Sequence, residues 1–191
     1  MENPQLYMCL IGCKPKGRHI EQHDIFFTIA DNGEHLKSQM QAFWPDGGKL
    51  HVDAWRKVTR VDGYEVKVIR HDLRNVAIAS NPESRQHLYF INLGGYQPGY
   101  FEEFHYKLLT VQPDKSGAIK AAKQTSFFKE ATSSHIDDQY GVDIDDLYNV
   151  EDILPVDIKQ QYCLSLQPAP LQEEDKSIVG YTKWDQISKL I

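Results

Sequence analysis

Two apolar runs, LYMCLIG at residues 6–12 and LYFINLG at residues 88–94, each read as a strand buried on both faces, since neither leaves a polar side for solvent. Glycine closes each run, and the following stretches, CKPKG and GYQPG, have loop chemistry. From Glu21 the pattern alternates. Glu21, His23, Ile25, Phe27 and Ile29 take one side of a predicted second strand and Gln22, Asp24, Phe26 and Thr28 the other, and EFHYKLLTV repeats this from Glu103. Asp31 with Glu34 three residues on has the form of a helix N-cap pairing. Leu36, Met40, Phe43 and Trp44 then fall at i, i+4, i+7 and i+8, one apolar helical stripe. Ile119, Ala122, Phe127 and Phe128 offer a comparable stripe behind Pro113. A third strand, LHVDAW, sets His51, Asp53 and Trp55 against Leu50, Val52 and Ala54, and Asp62-Gly63 favours a type I′ turn into a fourth strand, YEVKVI.

The pattern is a duplication. Residues 6–29 align with residues 88–111 at an offset of 82, and seven of the 24 pairs are identical: Leu6/Leu88, Tyr7/Tyr89, Gly12/Gly94, Gly17/Gly99, Glu21/Glu103, His23/His105 and Thr28/Thr110. Chance would give about one or two. A second block, 51–66 against 135–150, aligns at offset 84 through His51/His135, Asp53/Asp137, Val58/Val142, Asp62/Asp146, Tyr64/Tyr148 and Val66/Val150. On this alignment Asp146-Leu147 replaces Asp62-Gly63, so the second turn has a different shape. The expected fold is α+β: two tandem strand-strand-helix-strand-strand repeats with pseudo-twofold symmetry, mostly antiparallel sheet, and an extra C-terminal helix. The expected divisions are repeat unit 1 at 1–70, a linker at 71–87 in which VAIA at 76–79 forms a short strand, repeat unit 2 at 88–155, and a C-terminal extension at 156–191. In that extension YCLSL reads as a strand, LQEEDKS as a solvated acidic loop, and TKWDQISKLI as a helix opened by Thr182 with Asp185 three residues on.

Composition narrows the class. A repeat of about 80 residues is near the lower limit for an independent core, so the two copies are expected to pack together. The net charge of −6, with acids spread along the chain, argues against nucleic acid as a partner. The first residues, MENPQLYMCLIG, lack a basic segment, and their apolar run is too short for a signal peptide or a membrane span, which makes the cytoplasm the expected address. Three cysteines, Cys9, Cys13 and Cys163, have no partners in the repeat and read as buried reduced thiols. The expected partner is a small molecule or a protein, and a homo-oligomer is compatible with everything above.

The residues that could carry chemistry are Glu21, His23, His51 and Asp53, with Glu103, His105, His135 and Asp137 in the second copy. If the second and third strands are neighbours in register, E-x-H and H-x-D bring two imidazoles and two carboxylates together. Glu21, His23, His51 and Asp53 would then be ligands for a divalent metal cofactor, zinc or non-haem iron. Alternatively the groups pair with each other and fix the loop after the first strand. The two H-x-D segments also resemble the His-x-Thr/Ser pair of the two-histidine phosphoesterases, with one His as general base and one as general acid, but a carboxylate in place of Thr or Ser would repel phosphate. Gly12 and Gly17 read as turn glycines, because no Lys-Ser/Thr and no helix follows them. Tyr64 and Tyr148 read as packing residues, and His19, His35, His71 and His87 as surface residues.

The order GCKPKGRHIEQHDIFF, a helix ending in FW, LHVDAW and DGYEV resembles the bacterial domain-of-unknown-function family numbered 1543. The resemblance covers Leu6 to about Ile69 and, more loosely, the second copy through GGYQPGYFEEFHY and SHID, where Tyr106 and Gln139 replace Asp24 and Trp55. It implies a small bacterial protein carrying this segment once or twice, and no activity or ligand. Three readings follow: a non-catalytic binding or scaffold protein, whose polar cluster is buried and mutually bonded; a divalent-metal-dependent enzyme or metal-binding protein, whose cluster converges on an open cavity; and a phosphoesterase-like hydrolase, with His51 and His135 facing one cleft. No signature names a reaction.

Overall fold

The computed structural model describes residues 3–73, 86–96, 99–130, 144–169 and 173–191. The VAIA segment, His135, Asp137 and Gln139 lie outside the described residues. The fold is α+β, with antiparallel sheets and a few short helices, and the chain divides into two compact units: Met1–Ser80 with Leu154–Ile191, and Asn81–Ile153.

In unit 1, β1 (Gln5–Cys13) is flanked by β2 (Gln22–Ala30) and β3 (His51–Lys57). The strand β10 (Ile178–Lys183) extends the sheet beyond β3, in the order β10-β3-β1-β2. One face buries Tyr7, Cys9, Ile11, Cys13, Phe26 and Val52 under α1 (Gly33–Phe43) and a 3-10 helix, Trp184–Lys189. Leu36 and Met40 of α1 are wholly buried there, whereas Phe43 is an exposed edge contact to Phe26. The helix is capped one residue later than Asp31-x-x-Glu34 suggests: Asn32 is the N-cap, its side chain accepting from the His35 amide, and Asp31 meets the His35 ring instead. Gly33 is required at the helix start because a Cβ would overlap the Ser188 carbonyl of the 3-10 helix. Two buried polar residues tie α1 to β2, Thr28 to Gln39 and Gln39 to the Ile29 carbonyl.

A second sheet of unit 1 has the order β4-β5-β9, from β4 (Arg60–Val61), β5 (Tyr64–Arg70) and β9 (Tyr162–Pro168). Asp62 and Gly63, at φ 51° and 74°, form the expected tight turn, in which both residues need a left-handed backbone. YEVKVI, however, pairs with β4 and β9 and not with β3. The acidic loop is also not simply solvated: the Asp175 carboxylate accepts from the Thr59 and Arg60 amides and the Thr59 hydroxyl. Thr182 lies in β10, so the last helix begins after it and has no side-chain cap.

Unit 2 has a sheet of order β7-β6-β8, from β6 (His87–Tyr96), β7 (Glu103–Gln112) and β8 (Ile144–Asn149). Asp114 caps α2 (Lys115–Ala122), and Phe127 and Phe128 belong to a separate short α3 (Ser126–Glu130), so the expected single stripe is broken at Lys123–Thr125. The hairpins β1–β2 and β6–β7 share one register, with Gly12 opposite His23 and Gly94 opposite His105. The offset of 84 does not survive in the same way. Asp146-Leu147 is inside β8 rather than at a turn, Tyr148 is in β8 while Tyr64 opens β5, and α4 (Val150–Ile153) follows β8 directly. Leu154 and α5 (Val156–Gln161) then return the chain to unit 1.

No helix among the described residues is long and apolar enough to cross a membrane. Cys9, Cys13 and Cys163 are buried free thiols. Three of the histidines expected on the surface have specific contacts: His35 with Asp31, His71 with the Lys159 carbonyl, and His87 with Asn149.

Candidate functional site

Register puts His23, Gly12 and His51 in one row across β2, β1 and β3. A β-bulge completes the arrangement. Leu10 pairs with Ala54 and Ile11 with Val52, so Asp53 is an extra residue that no β1 residue opposes. Strict alternation would keep Trp55 on the side of His51 and Asp53. The extra residue reverses the faces instead, and Trp55 packs with Val52 against the α1-side core while His51 crosses the opposite face.

Gly12 is therefore not a turn glycine. Its backbone has no positive φ, and its role is the absence of a side chain: a Cβ would overlap His51 Nε2 and lie 2.9 Å from Asp53 Oδ2. Gly17, at φ +84° with open space around it, is the turn residue. The bulge is matched on the other side of β3, where Gly180 and Tyr181 fall between the paired residues Val179 and Thr182 and the Tyr181 ring covers His51 at 4.6 Å between centroids.

Over this glycine floor, His23 Nε2 is 3.0 Å and His51 Nε2 3.4 Å from the same oxygen, Asp53 Oδ2. Glu21 stands farther out, at 4.0 Å from His23 Nε2 and 3.9 Å from His51 Nε2. His51 Nε2 and Asp53 Oδ2 are both buried, and although neither makes a hydrogen bond of good geometry among the described residues, they face each other at ion-pair distance. The cluster is open on one side, since the His51 side chain is 5% exposed, Asp53 27%, His23 43% and Glu21 52%. Its four side chains are linked to one another by ion pairs, and the group is buried at His51 and exposed at Glu21 and His23.

Donor separations identify what fits. Tetrahedral bonds of about 2.0–2.1 Å to nitrogen and oxygen set neighbouring donors about 3.3 Å apart, and octahedral ones about 3.0 Å. The His23–Asp53 and His51–Asp53 separations are edges of that size. Glu21, His23 and His51 each also offer a donor atom within 4.8 Å of the others. A cleft of about 870 Å³ elsewhere in unit 1, lined by Lys57, Arg60, Glu65, Lys67 and Gln167 among others, contains none of these residues.

In unit 2 the structure gathers Glu103 and His105 with Asp145, which the sequence reading missed. His105 Nε2 lies 3.5 Å from Glu103 Oε2 and 3.3 Å from Asp145 Oδ2. Asp145 is the counterpart of Asp53: Asn92 pairs with Asp146 and Leu93 with Ile144, so Asp145 is the extra residue of an identical bulge. The strand offset is thus 92, and it aligns Val52-Asp53 with Ile144-Asp145. That β-branched residue followed by Asp was the available signal, but the stronger identity of HVDA with HIDD concealed it. His135 and Asp137 remain outside the described residues.

Residues 18–68 match the model of the Domain of Unknown Function family DUF1543. That stretch holds Glu21, His23, His51 and Asp53 and ends within β5; β1 and all of unit 2 fall outside it. The chain is also similar to the crystal structure of a protein Il1583 from Idiomarina loihiensis, at 21% identity and a TM-score of 0.61, with 95% of this chain and 98% of that one covered. This likeness supports the fold alone. No curated protein matches the chain.

Proposed function

We propose that this is a divalent-metal-binding protein whose ion is held in unit 1 by His23, His51 and Asp53, with Glu21 at the solvent rim as a fourth donor. The observation that carries the reading is the convergence of His23 Nε2 and His51 Nε2 on one carboxylate oxygen, Asp53 Oδ2, at 3.0 and 3.4 Å above a glycine. A shared cation would take both imidazole nitrogens and that carboxylate as ligands. Two imidazoles and one or two carboxylates suit zinc or ferrous iron. The exposed Glu21 and His23 leave a side from which water or a small-molecule partner reaches the ion.

Three broader expectations belong to the same proposal: a cytoplasmic setting, where three reduced thiols persist; a small-molecule or protein partner; and descent of the two units from one duplicated segment. The shared hairpin register and the repeated bulge support the last of these.

Elemental analysis of protein purified without chelator or immobilised metal, set beside a His23→Ala, His51→Ala double variant, tests the metal reading. Zinc or iron is expected in the native chain and lost from the variant. If both are empty, and added zinc does not raise the melting temperature of the native chain, the reading fails.

A further inference from the structure

We infer that unit 2 holds a second cation site, built from Glu103, His105 and Asp145, that favours a harder ion than the site of unit 1, with manganese(II) as its representative. The three side chains each present a donor atom within 4.8 Å of the other two, and both His105–carboxylate separations are ligand-edge distances. The site repeats the two devices that make the first one. Asp145 is raised by the β-bulge, and Gly94 leaves the space beneath: a Cβ there would overlap Glu103 Oε1 and stand 2.5 Å from Asp145 Oδ2.

A further observation lies on β6 itself. The apolar Leu10 of β1 is matched by Asn92, on the same face as Gly94 and two residues before it. Asn92 Nδ2 is 3.4 Å from Asp145 Oδ2 and 3.3 Å from Asp146 Oδ2, while its Oδ1 is buried without a hydrogen-bond partner among the described residues. The amide nitrogen is the atom that faces the carboxylates, so Asn92 donates to Asp145 and helps to hold that carboxylate in place at the site.

The donor sets then separate the two ions. Unit 1 offers two imidazole nitrogens beside Asp53 and Glu21, whereas unit 2 offers one imidazole nitrogen and two carboxylates. Imidazole draws zinc and iron, whereas carboxylate and carbonyl oxygens suit manganese and magnesium. Affinity order still favours zinc at any nitrogen-containing site, so the prediction concerns a ratio: the preference for zinc over manganese is at least about tenfold smaller in unit 2 than in unit 1.

The full chain carrying His23→Ala and His51→Ala isolates the second site. Manganese(II) titrated into it, followed by the loss of the free-ion electron paramagnetic resonance signal, is expected to bind at one equivalent. The imidazole resonances of His105 should broaden at substoichiometric metal. Adding Asp145→Asn or Glu103→Gln should weaken binding at least about tenfold, as loss of a carboxylate charge requires. Absence of binding or of His105 broadening at millimolar manganese overturns the inference, as does a zinc-to-manganese ratio equal to that of unit 1. Should the carboxamide variants fail to fold, the His105 broadening in the parent decides alone. Zinc retained at His23 and His51 with no manganese effect at His105 would sink this inference and leave the unit 1 site intact; manganese at His105 without metal in unit 1 would support it.

Discussion

Replacing Gly12 by alanine adds one methyl group at the centre of the unit 1 cluster. Because Gly12 already has backbone angles open to any residue, the change carries no conformational penalty, and its effect comes from space alone. The new carbon would overlap His51 Nε2 and stand 2.8 Å from Cε1 of the same ring and 2.9 Å from Asp53 Oδ2, so the imidazole must move by about 1 Å to reach ordinary contact. The ring has room to give, since the Tyr181 above it is 62% exposed. The cost in stability should therefore be at the low end for overpacking, about 1–2 kcal/mol. Metal binding has no such latitude, because bond lengths hold to about 0.2 Å and a ligand displaced by 1 Å is lost. The assay is thermal unfolding with chelator and again with zinc. An ion present at 100 times its Kd stabilises the native chain by about 2.7 kcal/mol, a shift of several degrees. Gly12→Ala should lower the chelated melting point slightly and abolish most of the zinc shift. Gly17→Ala is the control: its left-handed backbone costs about 1 kcal/mol, yet nothing lies within 4 Å of the added methyl, and the zinc shift should remain. A Gly12→Ala protein with the full zinc shift would refute the argument that the bare glycine makes room for the ion.

Asp175 anchors the turn between β3 and β4, accepting at 2.5 and 2.6 Å from the Thr59 and Arg60 amides and at 2.7 Å from the Thr59 hydroxyl. Asp175→Ala should cost about 2–4 kcal/mol in urea unfolding, because it strands two part-buried backbone donors; a loss under about 0.5 kcal/mol would mean the loop is merely solvated. Burial pushes the Cys9 thiol from 9.0 up to about 12. The folded chain keeps that proton where the unfolded chain has released it, so this contribution to stability is complete below pH 9 and declines by about 1.4 kcal/mol per pH unit as pH rises toward 12. Unfolding measured at pH 8, 9 and 10 should show that decline reduced in Cys9→Ala, and an unchanged slope would contradict it.

Local pattern was enough for β1, β2 and their counterparts, for α1, and for the Asp62-Gly63 turn, because strand alternation, helical spacing and turn chemistry act between near neighbours in the chain. The same reasoning placed Glu21 and His23 on one face and Glu103 and His105 on another. It failed where one residue changes the period. The bulges at Asp53 and Asp145 break the alternation that the sequence reading assumed, and so Trp55 moved to the core face and Asp145 escaped notice. The role of Gly12 was equally hidden, since a glycine needed for cross-strand space and one needed for a turn look alike in one dimension.

The sequence by itself determined the strands β1, β2, β3, β5, β6, β7 and β9 and the helix α1, that three thiols are buried, and that an E-x-H step recurs 82 residues apart. Tertiary structure decided the rest. It returned the C-terminal segment to unit 1, where β10 sets Tyr181 over His51 and β9 pairs with β5. It also brought His51 and Asp53, some 30 residues from His23 in the chain, to ligand-edge distances across a glycine. Register between strands depends on the summed packing of both faces and on where a bulge relieves it, a balance struck among residues distant in the chain.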